Sequence, residues 1–312
     1  MDRSSIADKV LQFPVFQLCG GTGPQRNDFL EKLQNEFDLR HLYMTVVQQS
    51  LPPRFVLFSL TQQYDLVIVD GPVDYPTHKI FFGCTDESGE SDIICLDAGD
   101  VLQDFLDKLL EKLQHILLQT PVWACILIGG RSSRMGQPKH LLTMQEGSTE
   151  SWIERTVRFV QPHVDGVVVS GKGELPISLE HLERIPDIPG VAGPLTGVLS
   201  AMRWQPGISW LVIACDMPFI SDDAINWLLK GRRPGCWGRF PRLRGSDFCE
   251  PLFSLYDGRT AHLLEDQLLT GNLRVGGIGK HQKIDNPTIP EKLCSAWKNV
   301  NTPEQLHSAQ LS

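Results

Sequence analysis

Residues 122–128, VWACILI, form an unbroken apolar run that ends on Gly129-Gly130. A strand with one wet face alternates apolar and polar side chains. A run without alternation belongs to a strand covered on both faces, as in a mostly parallel sheet flanked by helices. Residues 210–215, WLVIAC, have the same character, and residues 166–170, GVVVS, read as a third such strand. Between them a helix is expected around 150–160. Pro194 suits the first turn of a helix over 194–203. Ser221 suits the cap of a helix from about 222 to 230. Near the end, Thr302-Pro303-Glu304-Gln305 reads as a capping box with proline at the first helical position.

A separate alternation of strands and helices precedes it. Residues 14–18 read as a strand, followed by Gly20-Gly21-Thr22-Gly23. A helix is expected from about Asn27, with Phe29, Leu30, Leu33 and Phe37 on one face. Further strands are expected at 41–47, 55–60, 65–70, 78–82 and 92–96. Gly99-Asp100 opens a long helix whose Val101, Leu102, Phe105, Leu106, Leu109, Leu110, Leu113 and Leu117 form one apolar stripe. Gln119-Thr120-Pro121 is a short joint without low-complexity sequence. The chain has 312 residues, which suits two domains. The expected fold class is therefore α/β, as two doubly wound domains, 1–120 and 121–312.

Composition narrows the function. Lys and Arg total 29 against 37 Asp and Glu, a net charge of −8, which argues against general nucleic-acid binding. No apolar run approaches the roughly 18 residues of a membrane span, and the N-terminus lacks the apolar core of a secretory signal. The eight cysteines contain no CxxC pair, and the histidines do not fall at ligand spacing with them. That is the pattern of a reduced, cytoplasmic protein without a zinc site.

The chemistry concentrates in residues 129–139, GGRSSRMGQPK, at the carboxyl end of the first strand of the second domain. Open α/β sheets bind ligands at that edge. Glycines there let backbone N–H groups approach phosphate oxygens, and Arg134 and Lys139 can neutralise a triphosphate. Asp216 follows a buried strand and should project from the same edge. Beside a triphosphate, a lone carboxylate suits Mg²⁺, which keeps waters and shares phosphate oxygens. No serine or cysteine stands in an activating setting. Lys230, Arg232, Arg233, Arg239, Arg242 and Arg244 are interleaved with Trp237 and Phe240. This stretch reads either as a surface for a phosphorylated flat ring or its carrier, or as a solvated loop.

The loop GGRSSRMGQPK resembles the GGxSxRMGxxK signature of nucleotidyltransferases, and most of all that of molybdenum cofactor guanylyltransferases. The likeness runs from about Val122 to Gln310. It includes Cys215-Asp216-Met217-Pro218-Phe219, Gly193-Pro194-Leu195-Thr196-Gly197 and Asn299-Val300-Asn301-Thr302-Pro303. It implies a Rossmann-like domain that joins GMP from GTP to molybdopterin and releases pyrophosphate, with Mg²⁺ as cofactor. It implies that Leu127, Ile128, Gly129 and Gly130 line the nucleotide and that Lys139 holds phosphates. Ser170 takes the place of a family asparagine, Asp187 that of a nucleotide-contacting aspartate and Asp216 that of the metal ligand. Asn299 and Asn301 fall on the pterin side. Ile128 stands where the family usually has alanine, and Pro138 where it often has aspartate. A related transferase using CTP or a sugar phosphate, and a non-catalytic delivery scaffold, remain as alternatives.

Residues 14–117 resemble the adaptor protein of molybdopterin-guanine dinucleotide biosynthesis, through Phe29-Leu30-Glu31-Lys32-Leu33 and Tyr64-Asp65-Leu66-Val67-Ile68-Val69-Asp70-Gly71. The intact phosphate loop is GxxxxGK[ST]. Here Gln25 replaces the second glycine, Arg26 the lysine and Asn27 the hydroxyl residue. The expectation is a P-loop-like domain with a degraded loop, serving substrate delivery or docking to molybdoenzymes.

Overall fold

The structure, a computed structural model, describes residues 13–82, 93–96, 102–129, 138–144, 148–301 and 305. The chain divides into two compact units, one reaching Thr120 and the other starting at Pro121, with Arg233–Gly235 grouped with the first. No helix among the described residues is long and apolar enough to cross a membrane.

The first unit runs β1 (Val15–Gly20), α1 (Gly23–Leu39), β2 (Met44–Val47), α2 (Arg54–Thr61), β3 (Leu66–Val69), β4 (His78–Phe82), β5 (Ile93–Leu96) and α3 (Leu102–Gln119). Among the described residues its strands form one parallel sheet in the order β2-β3-β1-β4-β5. Alternate residues feed the two faces. Phe16, Ile68 and Ile80 pack with α1 and α3, whereas Val15, Val67 and Val69 pack with Leu57 of α2. Both faces are thus covered, which is why β3 is apolar throughout.

Residues 55–60 are not the expected strand but lie within α2. Pro53 caps that helix with φ −59°, and Leu57 and Thr61, one turn apart, are its buried residues. Phe55 is 73% exposed. The burial spacing is helical, although Phe, Val and Leu in short succession suggest β structure. α1 starts four residues before Asn27 because Thr22 and Gln25 cap it. Gln25 Oε1 accepts from Thr22 N at 2.8 Å and from Thr22 Oγ1 at 2.9 Å. Arg26 then closes the loop. Its Nη1 donates to the carbonyls of Gly20 and Gly21 at 3.1 and 3.2 Å, and its Nε lies 2.9 Å from Asp70 Oδ1.

The second unit runs β6 (Val122–Leu127), α4 (Trp152–Val160), β7 (Gly166–Ser170), β8 (Glu183–Ile185), α5 (Pro194–Trp204), β9 (Ser209–Ala214), α6 (Asp222–Leu229), β10 (Gly238–Arg239), β11 (Ser254–Tyr256), α7 (Thr260–Leu269) and β12 (Ile284–Asp285). The sheet order among the described residues is β12-β10-β11-β9-β6-β7-β8. β9, β6, β7 and β8 are parallel, as the continuous runs require. β11 is antiparallel to both β9 and β10, so this sheet is mixed. All three residues of β11 are buried, so burial pattern cannot reveal its direction. Ala124 and Ile126 of β6 enter the core under α4 and α6, and Cys125 enters the one under α5.

The aromatic residues of the basic stretch 230–244 prove to be core. Trp237 and Phe240 are 1% and 0% exposed. Arg239 pairs with Asp285 at 2.7 Å and lies 4.7 Å over the Trp227 ring. The stretch is therefore neither a solvated loop nor an open ring-binding face at these residues. The capping box expected at 302–305 has residues 302–304 outside the described set.

Two caps define the helices beside the sheet edge. Ser221 Oγ accepts from Ala224 N at 3.4 Å. Ser151 Oγ accepts from Glu154 N, while the Glu154 carboxylate accepts from Ser151 N at 2.8 Å. Removing such a cap costs about 1 kcal/mol. Ser151→Ala should lower the unfolding free energy of the second unit by about that amount. Denaturant titration monitored by tryptophan fluorescence checks this.

Candidate active site at the strand ends of the second unit

The registers of the parallel strands make the site. Leu127, the last residue of β6, pairs with Ser170, the last of β7, and with Ala214, the last of β9. Three carboxyl ends are therefore flush, and the residues that follow leave at one edge. Two hydrogen bonds extend the sheet past its end, Ile128 N to Ser170 O at 2.8 Å and Cys215 N to Leu127 O at 3.1 Å. Gly171 turns away at once with φ +115°. A Cβ there would stand 1.8 Å from Ile128 O, so no other residue fits. Gly197 serves close approach. A Cβ at that position would lie 2.7 Å from Leu127 Cδ2 and 2.9 Å from Ser170 Oγ. The first turn of α5 thus sits directly against the ends of β6 and β7.

The space left is a cavity of about 580 Å³. Leu127, Ile128, Gly129, Lys139, Ser170, Asp187 and Asp216 all line it, so seven residues expected at a nucleotide site share one wall system. Lys139 begins a short 3₁₀ turn over residues 139–141. Its Nζ donates to Asp216 Oδ2 at 3.0 Å and to Asn301 Oδ1 at 2.5 Å. The backbone joins the same segment again, because Val300 N donates to Asp216 O at 2.9 Å. Asn301 therefore meets the cavity through Lys139, whereas Asn299 is exposed and does not line it. Gly130 and Arg134 lie outside the described residues. Lys172, Thr196 and Leu252 also line the cavity without having been expected there. Lys172 had a signal, because a cation between two glycines directly follows β7.

Ser170 Oγ is buried in the wall with no hydrogen-bond partner among the described residues. A buried hydroxyl without a partner is costly unless something else satisfies it. The neighbouring thiols have the opposite character. Burial pushes Cys125 and Cys215 up to about 12, with smaller contributions from the charges of Asp187 and Asp216 respectively. Burial thus favours their neutral form, the opposite of the lowered pKa that activates a nucleophilic thiol.

One wall residue owes its place to a strained neighbour. Phe253, next to Leu252, has φ +129° although it is bulky and wholly buried. Holding a side-chain-bearing residue there costs about 1–3 kcal/mol. Its ring stacks on Trp297 at 4.6 Å between centroids, and Trp297 Nε1 donates to Phe253 O at 3.0 Å.

A family model described as MobA-like NTP transferase domain matches residues 124–280. A molybdenum cofactor guanylyltransferase from Rhizobium meliloti (strain 1021) is 32% identical over 200 residues, which is 60% of this chain and 89% of that protein. A probable molybdenum cofactor guanylyltransferase from Pelotomaculum thermopropionicum is 31% identical over 192 residues, 60% of this chain and 90% of that protein. The solved structure of molybdopterin-guanine dinucleotide biosynthesis protein A from Archaeoglobus fulgidus is 24% identical. It covers 61% of this chain and 97% of that one, with a TM-score of 0.49.

The buried thiols make a test of the geometry. Their folded pKa lies above the ordinary value of 9.0, so their contribution is full below about pH 9. It should be lost as pH rises from about 9 toward 12, because the unfolded thiols ionise first. Denaturant unfolding across that window should show falling stability of the second unit. At pH 8, peptide mapping after iodoacetamide should find Cys125 and Cys215 unmodified in the native protein and modified in denaturant.

Proposed function

The chain belongs to the MobA-like NTP transferase family, and on that premise we propose that its second unit transfers GMP from GTP to molybdopterin and releases pyrophosphate. The observation that carries this reading is the shared cavity of Lys139, Asp216 and the backbone of Leu127–Gly129 at three flush strand ends. A volume of about 580 Å³ falls within the roughly 300–1,000 Å³ usual for small-molecule sites.

The reaction is a displacement at phosphorus. An oxygen of the molybdopterin phosphate bonds to the α-phosphorus of GTP. The bond from that phosphorus to the bridging oxygen breaks, and the electron pair leaves with pyrophosphate. The protein's contribution is to position the two phosphates and to stabilise charge. Lys139 has two of its N–H groups engaged by Asp216 and Asn301, which aims the ammonium across the cavity and leaves one donor for a phosphate oxygen. Ser170 Oγ and the Asp187 carboxylate supply polar contacts for the nucleoside, and guanine presents N–H donors that a carboxylate accepts. The thiols of Cys125 and Cys215 are held neutral, which fits direct transfer without a covalent enzyme intermediate.

A divalent cation fits this donor set. Asp216 is a partly exposed carboxylate facing the cavity, already paired with one cation, the Lys139 ammonium. No group of three or more metal-ligating side chains occurs among the described residues. Mg²⁺ suits such a site because it takes one or two carboxylates and completes its shell with phosphate oxygens and water. Bound at Asp216, it would neutralise phosphate charge. Arg134 would add a second cation to the phosphates.

The first unit reads as a degenerate adaptor that delivers the pterin or docks molybdoenzymes. Gln25 Oε1 takes the Thr22 donors and Asp70 takes Arg26, so the protein's own acceptors consume donors that a phosphate loop would offer. The described cysteines are free thiols, which suits a cytoplasmic setting.

Pyrophosphate release with molybdopterin should occur with GTP and fall away with CTP and ATP. Equal rates with CTP would replace the guanylyl reading, and no release with any of the three would remove the enzyme. Lys139→Ala should lower turnover at least ~100-fold, the loss typical of removing one charge-stabilising donor. Asp216→Asn should do the same while leaving the circular dichroism spectrum and melting temperature near those of the unaltered protein.

A further inference from the structure

Both anchors of the catalytic corner lead back to one residue. Trp297 closes the 3₁₀ turn Glu291–Trp297 and is 3% exposed. Its ring packs edge-on against Trp227 of α6 at 5.7 Å and stacks on Phe253, so it is fixed to the body of the unit. From there two connections run to the cavity. The first goes through the Trp297 Nε1 hydrogen bond to Phe253 O, which holds Phe253 at φ +129° and so delivers Leu252 to the wall. The second runs along the chain. Lys298 N donates to Ser295 O and ends the turn, and Val300 then donates its N–H to Asp216 O. The Val300 side chain is buried with Leu142 and Trp152, at the foot of the turn that carries Lys139.

Packing alone does not require this arrangement. A bulky residue in the left-handed region is an outlier that persists only where surrounding contacts over-determine it, and such outliers cluster at functional sites. Here the over-determining contact is a directed N–H donor on the same segment whose Val300 N–H holds the backbone carbonyl of Asp216.

We propose that Trp297 is a positioning residue for the transfer reaction, which through Phe253 sets the Leu252 wall and through Val300 sets the backbone of Asp216. The inference rests on the nucleotidyl-transfer reading of this cavity. Trp297 does not line the cavity; it acts through Leu252 and Asp216, which do. Partners of this kind, one step behind a ligand, typically change metal affinity or activity by about 10–100-fold when altered.

The test uses the full-length protein. Trp297→Phe keeps an aromatic ring for the stack and removes the N–H donor. Val300→Pro leaves Trp297 in place and removes the N–H that Asp216 O accepts. Mn²⁺ binding to the GTP complex is followed by electron paramagnetic resonance, beside kcat and KM for pyrophosphate release at saturating metal. Each variant should bind Mn²⁺ about tenfold more weakly, and kcat should fall by a similar factor with KM for GTP little changed. A lower melting temperature with Mn²⁺ affinity and kcat per folded molecule unaltered in Trp297→Phe would make Trp297 a packing residue only. Should Trp297→Phe fail to fold, Val300→Pro decides, and unaltered Mn²⁺ affinity there overturns the proposal. An unsubstituted protein that binds Mn²⁺–GTP without transferring to molybdopterin counts against the acceptor, while the variants' Mn²⁺ affinities still decide the role of Trp297.

Discussion

The contact between Lys139 and Asp216, 3.0 Å from ammonium to carboxylate, joins residues 77 apart in sequence at the edge where β6 and β9 end in register. Leu127 opposite Ala214 brings the following residues of both strands to the same height at the sheet edge. A two-residue shift of β9 would move Asp216 by about 6–7 Å, since a strand advances roughly 3.3 Å per residue. The lysine would then lack its partner and the cavity one wall. The glycines at 171 and 197 matter for the same reason. They let β7 turn and α5 approach without pushing the strand ends apart.

Charge at this corner is balanced rather than neutralised by burial. Lys139 and Asp216 are both partly open to solvent, so neither bears the full penalty of a buried ion. Asn301 adds a neutral acceptor to the ammonium. The arrangement keeps a cation and a carboxylate together at the cavity wall. The two thiols behind it are the reverse case, buried and uncharged, and they serve as core.

The site was more legible in the sequence than the fold around it. Buried parallel strands announce themselves by unbroken apolar runs, and the residue after such a run has one place to go. Asp216 and Gly129 could therefore be placed from position alone. Lys172, between Gly171 and Gly173, follows Ser170 at the end of the apolar run 166–170 and carries the same positional signal. Other features depend on tertiary partners that sequence spacing does not reveal. α2 looked like a strand because its Phe and Val are β-formers, yet Leu57 and Thr61 are what it buries. The antiparallel β11 has the same burial as a parallel strand. Trp237 and Phe240 sat among six basic residues and still belong to the core. The contact of Asn301 with Lys139, a relation spanning 162 residues, is likewise invisible to sequence spacing.

The most direct measurement is a crystal structure of the full-length protein with a non-hydrolysable GTP analogue and Mg²⁺. The triphosphate should lie against Lys139 in the second unit, with the cation on Asp216 and the nucleoside beside Leu127, Ile128 and Ser170. A nucleotide bound elsewhere, with Lys139 and Asp216 still paired only to each other and the cavity empty, would contradict the account.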